Sequence, residues 1–422
     1  MTQSNLAVQV VDALRIGKPP QRGVALYSVG NEKLIEGIKK RHLSGIGDRG
    51  IIRFINGSWG AGKTHFFRLM REMAFDNGCL VSSVELNVND AALNKFESVF
   101  YAIIRNVVTP SFYTEHMTTY EAAPFGSVVK ESLAYLASGT HSISSEVLQG
   151  DYNKALTALM GDHGIDIDFK KMIQHYWETF LPEAGDPVVQ EQTRDEILQW
   201  FSGEGTLGAY RKRFGVSKMV SRQNPRLMLQ SLAGFVRLSG YRGLIILFDE
   251  AEQAYSIMRK SALKDAHNNL LSLINNIESL NGLFLIYATT PDFFTDPKHG
   301  IVVYGALAGR IGKPEQREPR ALDIIWNLDK VEPTLSDYQT VAKKIRQIYA
   351  DAYPDAAKEL PPDSDVEKRV AELFKQHPSL APVRFWRVLV TALITYFDDY
   401  LEGEVRDTEQ LYDDVMDRLR ED

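Results

Sequence analysis

The chain has 422 residues, room for about two to three domains and a substantial core, so a small stapled scaffold is excluded. Its 48 Lys and Arg against 55 Asp and Glu give a net charge of −7, so bulk charge draws it neither to nucleic acid nor to an anionic membrane. Apolar residues at 44% and charged residues at 24% exclude a disordered chain, and the single cysteine, Cys79, excludes an internal disulfide or a cysteine-rich zinc site.

The first twenty residues read as an amphipathic helix stopped by Pro19 and Pro20, without the basic segment, apolar run and small-residue cleavage site of an export signal. No apolar run approaches the roughly 20 residues that span a bilayer, so a cytoplasmic location with no membrane partner is expected. Ile51 to Ile55 is a β-branched, apolar run that predicts a strand, and a helical pattern follows from about Lys63 to Met73. A second strand is predicted over Leu80 to Leu86, with a helix over Asn94 to Val108. Strands over Leu244 to Phe248 and Leu283 to Ala288 flank a helix over Leu263 to Leu280, and a fifth strand is placed at Ala321 to Leu328.

This alternation predicts an α/β fold with a parallel five-stranded sheet. Residues 110–224 interrupt it with helical pieces at 145–160, 169–180 and 189–201 and read as a helical insertion. Beyond Lys330 the pattern is helical at 336–350, 363–376, 381–400 and 407–419, separated by Pro354, Pro361, Pro362 and Pro378. The expected organisation is a helical segment over 1–50, a core over 51–330 and an all-α domain over 331–422.

Gly57-Ser58-Trp59-Gly60-Ala61-Gly62-Lys63-Thr64 matches G-x-x-x-x-G-K-[ST] in full, between a strand and a helix start where that loop works. Its glycines let backbone N–H groups wrap a polyphosphate at the positive end of the helix. Lys63 is expected on the β- and γ-phosphates of ATP and Thr64 on Mg²⁺. Trp59 fits a stacking role or a packed loop anchor. The strand 244–248 delivers Asp249 and Glu250 at its carboxyl end, where ligands of parallel sheets bind. Asp249 suits the Mg²⁺ shell and Glu250 the polarisation of an attacking water, which points to hydrolysis rather than transfer to a small molecule. The strand 283–288 ends in Thr289 and Thr290, either of which could meet the γ-phosphate or the water, although threonine is also common in strands. The basic clusters 39–42 and 211–213 fit solvated helix faces better than a nucleic-acid surface, and the nine histidines show no metal-ligand spacing.

In this order, the motifs resemble those of AAA+ P-loop ATPases, in the branch near origin-recognition and initiator proteins. The segments ALRIGKPPQRGVALYSVGNEKLI, FINGSWGAGKTHFFRLMRE, LIILFDEAEQAY, FLIYATTPDFFTD and IVVYGALAGRIG resemble the ATP-binding proteins of BREX phage-defence systems, the BrxD-like family, over most of the chain. The resemblance implies that Val29, Gly30 and Asn31 lie near the adenine and that Thr290 or Thr289 is a first sensor. It further implies that Arg310 is an arginine finger reaching a neighbouring subunit, and that Arg384, or Arg387 one turn on, senses the γ-phosphate from a helical lid. Initiator relatives carry a winged-helix DNA reader at the C-terminus, and none is visible here. The resulting expectation is an ATPase of a bacterial defence system that works as a homo-oligomeric switch or remodeller on DNA, bound weakly and without sequence preference, or on a helicase or methyltransferase partner. The alternatives are a low-turnover ATP-dependent scaffold and a helicase-loader-like DNA-binding module.

Overall fold

The computed structural model describes residues 3–87, 89–115, 124–148, 150–250, 258–376, 382–404 and 406–420. Six strands form one sheet: β1 (Ile51–Asn56), β2 (Leu80–Glu85), β3 (Val107–Val108), β4 (Leu244–Asp249), β5 (Leu283–Thr289) and β6 (Ile325–Asn327). Their order is β3-β2-β4-β5-β1-β6. β2, β4, β5, β1 and β6 pair in parallel, and β3 adds antiparallel to β2. β4 and β5 lie innermost, which explains their nearly unbroken apolar sequence.

The sheet therefore has one strand more than the sequence predicts. Val107 and Val108 were expected to end a helix. That helix instead stops at Asn106, and the β-branched pair before Thr109 and Pro110 extends along β2. At the other edge, the strand expected over Ala321 to Leu328 shrinks to three residues followed by a 3₁₀ turn. The helix expected over 145–160 is two, Ser145–Leu148 and Tyr152–Gly161.

Side-chain alternation in β1 sends Ile52 and Phe54 to one face and Ile51 and Ile55 to the other. The second face packs on Phe66, Phe67, Met70 and Met73 of the helix Lys63–Asp76. The first face joins a cluster that includes Phe169, Trp177, Trp200 and Phe201, so the described helices of segment 110–224 share the core on that side of the sheet. A third cluster unites the helices Leu335–Ala352, Asp363–Gln376, Pro382–Glu402 and Thr408–Arg420 with Ala7, Val10, Val11 and Leu14 of the first helix, Gln3–Arg15. Arg15 fastens that helix to Asp398 at 3.0 Å. Among the described residues, no helix is long and apolar enough to cross a membrane.

Candidate nucleotide-binding site

Parallel register aligns the carboxyl ends of the strands, placing Asn56 level with Thr289 and Asn327, and Asp249 level with Glu85. The chain leaving β1 there makes the phosphate loop. Gly60 and Gly62 adopt positive φ values of 82° and 79°, which the tight turn needs and a side chain would strain. A Cβ on Gly57 would stand 2.6 Å from the Cβ of Ala61, so glycine is also required at the loop's entrance. Ser58 is pinned by Asp329, just past β6. Its N–H donates to both carboxylate oxygens at 2.9 and 3.1 Å, and its hydroxyl donates at 2.9 Å. Lys63 Nζ donates to the Gly57 carbonyl at 2.8 Å.

At the end of β4 the Asp249 carboxyl is pushed up by burial, with the Glu250 N–H, Lys63 and Arg68 pulling the other way. Glu250 has φ of 56°, the one non-glycine residue with positive φ among those described, and its N–H donates to Asp249 Oδ1 at 3.0 Å. A left-handed glutamate is a strained conformation of the kind held at functional sites.

The loop and this acidic pair open into a cavity of about 470 Å³ whose far wall comes from distant parts of the chain. Tyr27, Ser28, Val29 and Asn31 line one side, Leu14, Gly17 and Pro19 another, and Trp386, Arg387 and Val390 close it from the C-terminal helices. The short helix Val24–Tyr27 is held on the phosphate-loop helix by Glu72, whose carboxylate accepts from the N–H groups of Gly23, Val24 and Ala25 at 2.6, 3.1 and 2.9 Å. Next to the loop, His65 Nε2 meets Ser28 Oγ at 2.8 Å. Burial lowers this histidine to about 4, so it is neutral.

The cavity thus collects Val29, Asn31, Trp59, Gly60, Ala61, Gly62, Lys63, Thr64, Asp249, Glu250 and Arg387 from the residues singled out in the sequence. Others lie elsewhere. Gly57 and Ser58 shape the loop from behind. The Gly30 N–H faces the Glu32 carboxylate at 3.0 Å. The Thr289 hydroxyl is committed to the Ile55 carbonyl at 2.8 Å, and Thr290, 5% exposed, opens the helix Pro291–Thr295. Arg310, in the helix Gly305–Ile311, lines a separate cavity with Ile51 and Ile52 at the amino end of β1, away from its own phosphate loop. The side chain of Arg384 lies outside the described residues.

Thr64 and Asp249 fit a Mg²⁺ ion held largely by phosphate and water. An exposed hydroxyl and a half-buried carboxylate face one cavity, and a cation would offset the cost of burying Asp249. Among the described residues, no group of three or more His, Cys, Asp or Glu side chains is arranged to hold a metal by itself.

Comparison with known proteins gives no significant match among curated proteins or solved structures. The family model described as "BREX system ATP-binding protein BrxC/D" matches residues 3–414, which covers the loop, the acidic pair and the C-terminal helices alike, and the chain belongs to that family.

Proposed function

We propose that the protein hydrolyses ATP and works as a homo-oligomeric AAA+ switch in the BREX system, acting on DNA or on a DNA-processing partner such as a helicase or methyltransferase. The observation that carries this reading is the shared cavity: a complete phosphate loop, an Asp-Glu pair and an arginine from the C-terminal helices converge on it. Lys63 and the loop N–H groups bind the phosphates, and Arg387 approaches them from the C-terminal helices, which act as a lid. Thr64 and Asp249 would hold Mg²⁺, which would neutralise charge on the phosphates. Glu250 accepts a proton from the attacking water.

Arg310 lies away from this cavity, so its contribution to hydrolysis comes from a neighbouring copy. An arginine supplied in trans changes turnover by roughly 10³ to 10⁵, whereas an exposed surface ion pair contributes only about 0–1 kcal/mol. Arg310→Ala should nearly abolish phosphate release while retaining ATP binding, and Lys63→Ala should lose ATP binding. Mixing the two variants should restore part of the activity, because each supplies what the other lacks. Mixtures that co-assemble without regaining activity would remove Arg310 from the reaction.

A further inference from the structure

The phosphate-loop helix grips the segment 23–28 at two points on one face. Glu72 caps the start of the helix Val24–Tyr27, and His65, two turns earlier in Lys63–Asp76, meets its end. Ser28 is the meeting point. Its hydroxyl has a single proton and donates it to the Val24 carbonyl at 2.8 Å. The contact with His65 at 2.8 Å must then run the other way, with Nε2–H donating to Ser28 Oγ. Nδ1 is left as the acceptor facing the Tyr27 hydroxyl at 3.4 Å, and the Tyr27 ring packs edge-on against the imidazole at 5.4 Å.

The Ser28 carbonyl is held in turn from the C-terminal helices, by Lys344 Nζ at 3.1 Å. Lys344 lies in Leu335–Ala352, one turn from Val341, which lines the cavity. One residue therefore receives a hydrogen bond from the phosphate-loop helix and another from the C-terminal helices. His65 follows directly on Thr64, so a shift of the loop around phosphates is delivered to it without an intervening joint.

We propose that His65 is a positioning residue that transmits occupancy of the phosphate loop, through Ser28 and Lys344, to the helix Leu335–Ala352. This rests on the reading that nucleotide binds between the loop and the C-terminal helices. His65 itself does no chemistry on the phosphates. Its imidazole fixes where Ser28 stands, and Ser28 fixes where Lys344 and its helix stand.

Backbone hydrogen exchange of the full chain, with and without ATP, tests the relay. In the wild type, ATP should protect both residues 57–64 and the helix Leu335–Ala352. His65→Ala should bind ATP only roughly threefold to tenfold more weakly, the cost of one hydrogen bond. It should keep protection at 57–64 and lose it at 335–352. His65→Gln, whose side-chain amide can donate to Ser28 Oγ, should regain it. Ser28→Ala leaves the histidine in place and should behave as His65→Ala, which guards against a folding defect in the latter. ATP-dependent protection of 335–352 that survives in His65→Ala and Ser28→Ala would overturn the relay. So would a wild type protected at 57–64 alone, which would leave the nucleotide site standing. Protection at neither place would overturn both.

Discussion

Glu250 occupies a left-handed backbone conformation directly after a buried strand, and Asp249 beside it is raised by desolvation. Both costs fall at the point where the cavity meets the phosphate loop. At the loop's other end, Asp329 accepts three hydrogen bonds from Ser58 and so sets the entrance geometry. Asp329→Ala should leave the loop's entrance unpinned and weaken ATP binding by about tenfold, in line with the loss of charge-assisted hydrogen bonds, and titration calorimetry would read it. Unchanged affinity would mean that the loop holds its shape without the carboxylate. Legibility at this scale follows chain distance. The phosphate loop and the Asp-Glu pair are each contiguous in sequence, so a local pattern is enough to single them out. The Ser58–Asp329 contact spans 271 positions and His65–Ser28 spans 37, so no local pattern announces them. Ser28 and Tyr27 adjoin Val29, yet their pairing with the phosphate-loop helix emerges only when the helix Val24–Tyr27 is docked.

Elements were legible where hydrophobic pattern and length agreed. β1, β4 and β5 are long, apolar and central, and the helix over 363–376 has the bounds its pattern predicts. Short edge elements were less so, because two or three residues carry no period: Val107–Val108 was read as the end of a helix, and Ile325–Asn327 is a strand inside the longer one read over Ala321 to Leu328, its extent set by pairing with β1. The short helix Val24–Tyr27 is a further case. Four residues do not sustain a helix alone, and the Glu72 carboxylate across its first turn supplies what the sequence lacks. Glu72→Ala should therefore lower unfolding stability by about 1–3 kcal/mol and weaken ATP binding as well. Denaturant titration together with a binding isotherm would check both effects. A stability loss without a loss of affinity would show that the cavity wall at Tyr27 to Asn31 does not depend on this cap for binding.

Across the whole molecule, the first helix belongs with the last four rather than with the sheet, so the chain enters through the C-terminal helical cluster before reaching the phosphate loop. Separation along the sequence concealed this, as it concealed that the described helices of segment 110–224 share a core with one face of the sheet. The core also sets a pH response. His42, fully buried against the Ala321 carbonyl, and His267, 2% exposed, are both lowered to about 4 from an ordinary value near 6.5, chiefly by burial. The unfolded chain binds protons at these sites before the native one does. Their contribution to stability is therefore complete above about pH 6.5 and lost as pH falls toward 4. Chemical unfolding midpoints should drop through that window, and the drop should shrink in His267→Gln. A midpoint flat from pH 7 to 4.5 would contradict the assignment.

ATP hydrolysis in the cavity between the phosphate loop and the C-terminal helices is the central proposal. The most direct test is phosphate release by Glu250→Gln at saturating ATP, measured beside its ATP affinity. With the proposed base removed and the phosphate cradle left in place, ATP binding should stay close to that of the wild type while phosphate release falls at least about a hundredfold. Hydrolysis by Glu250→Gln at the wild-type rate would contradict it.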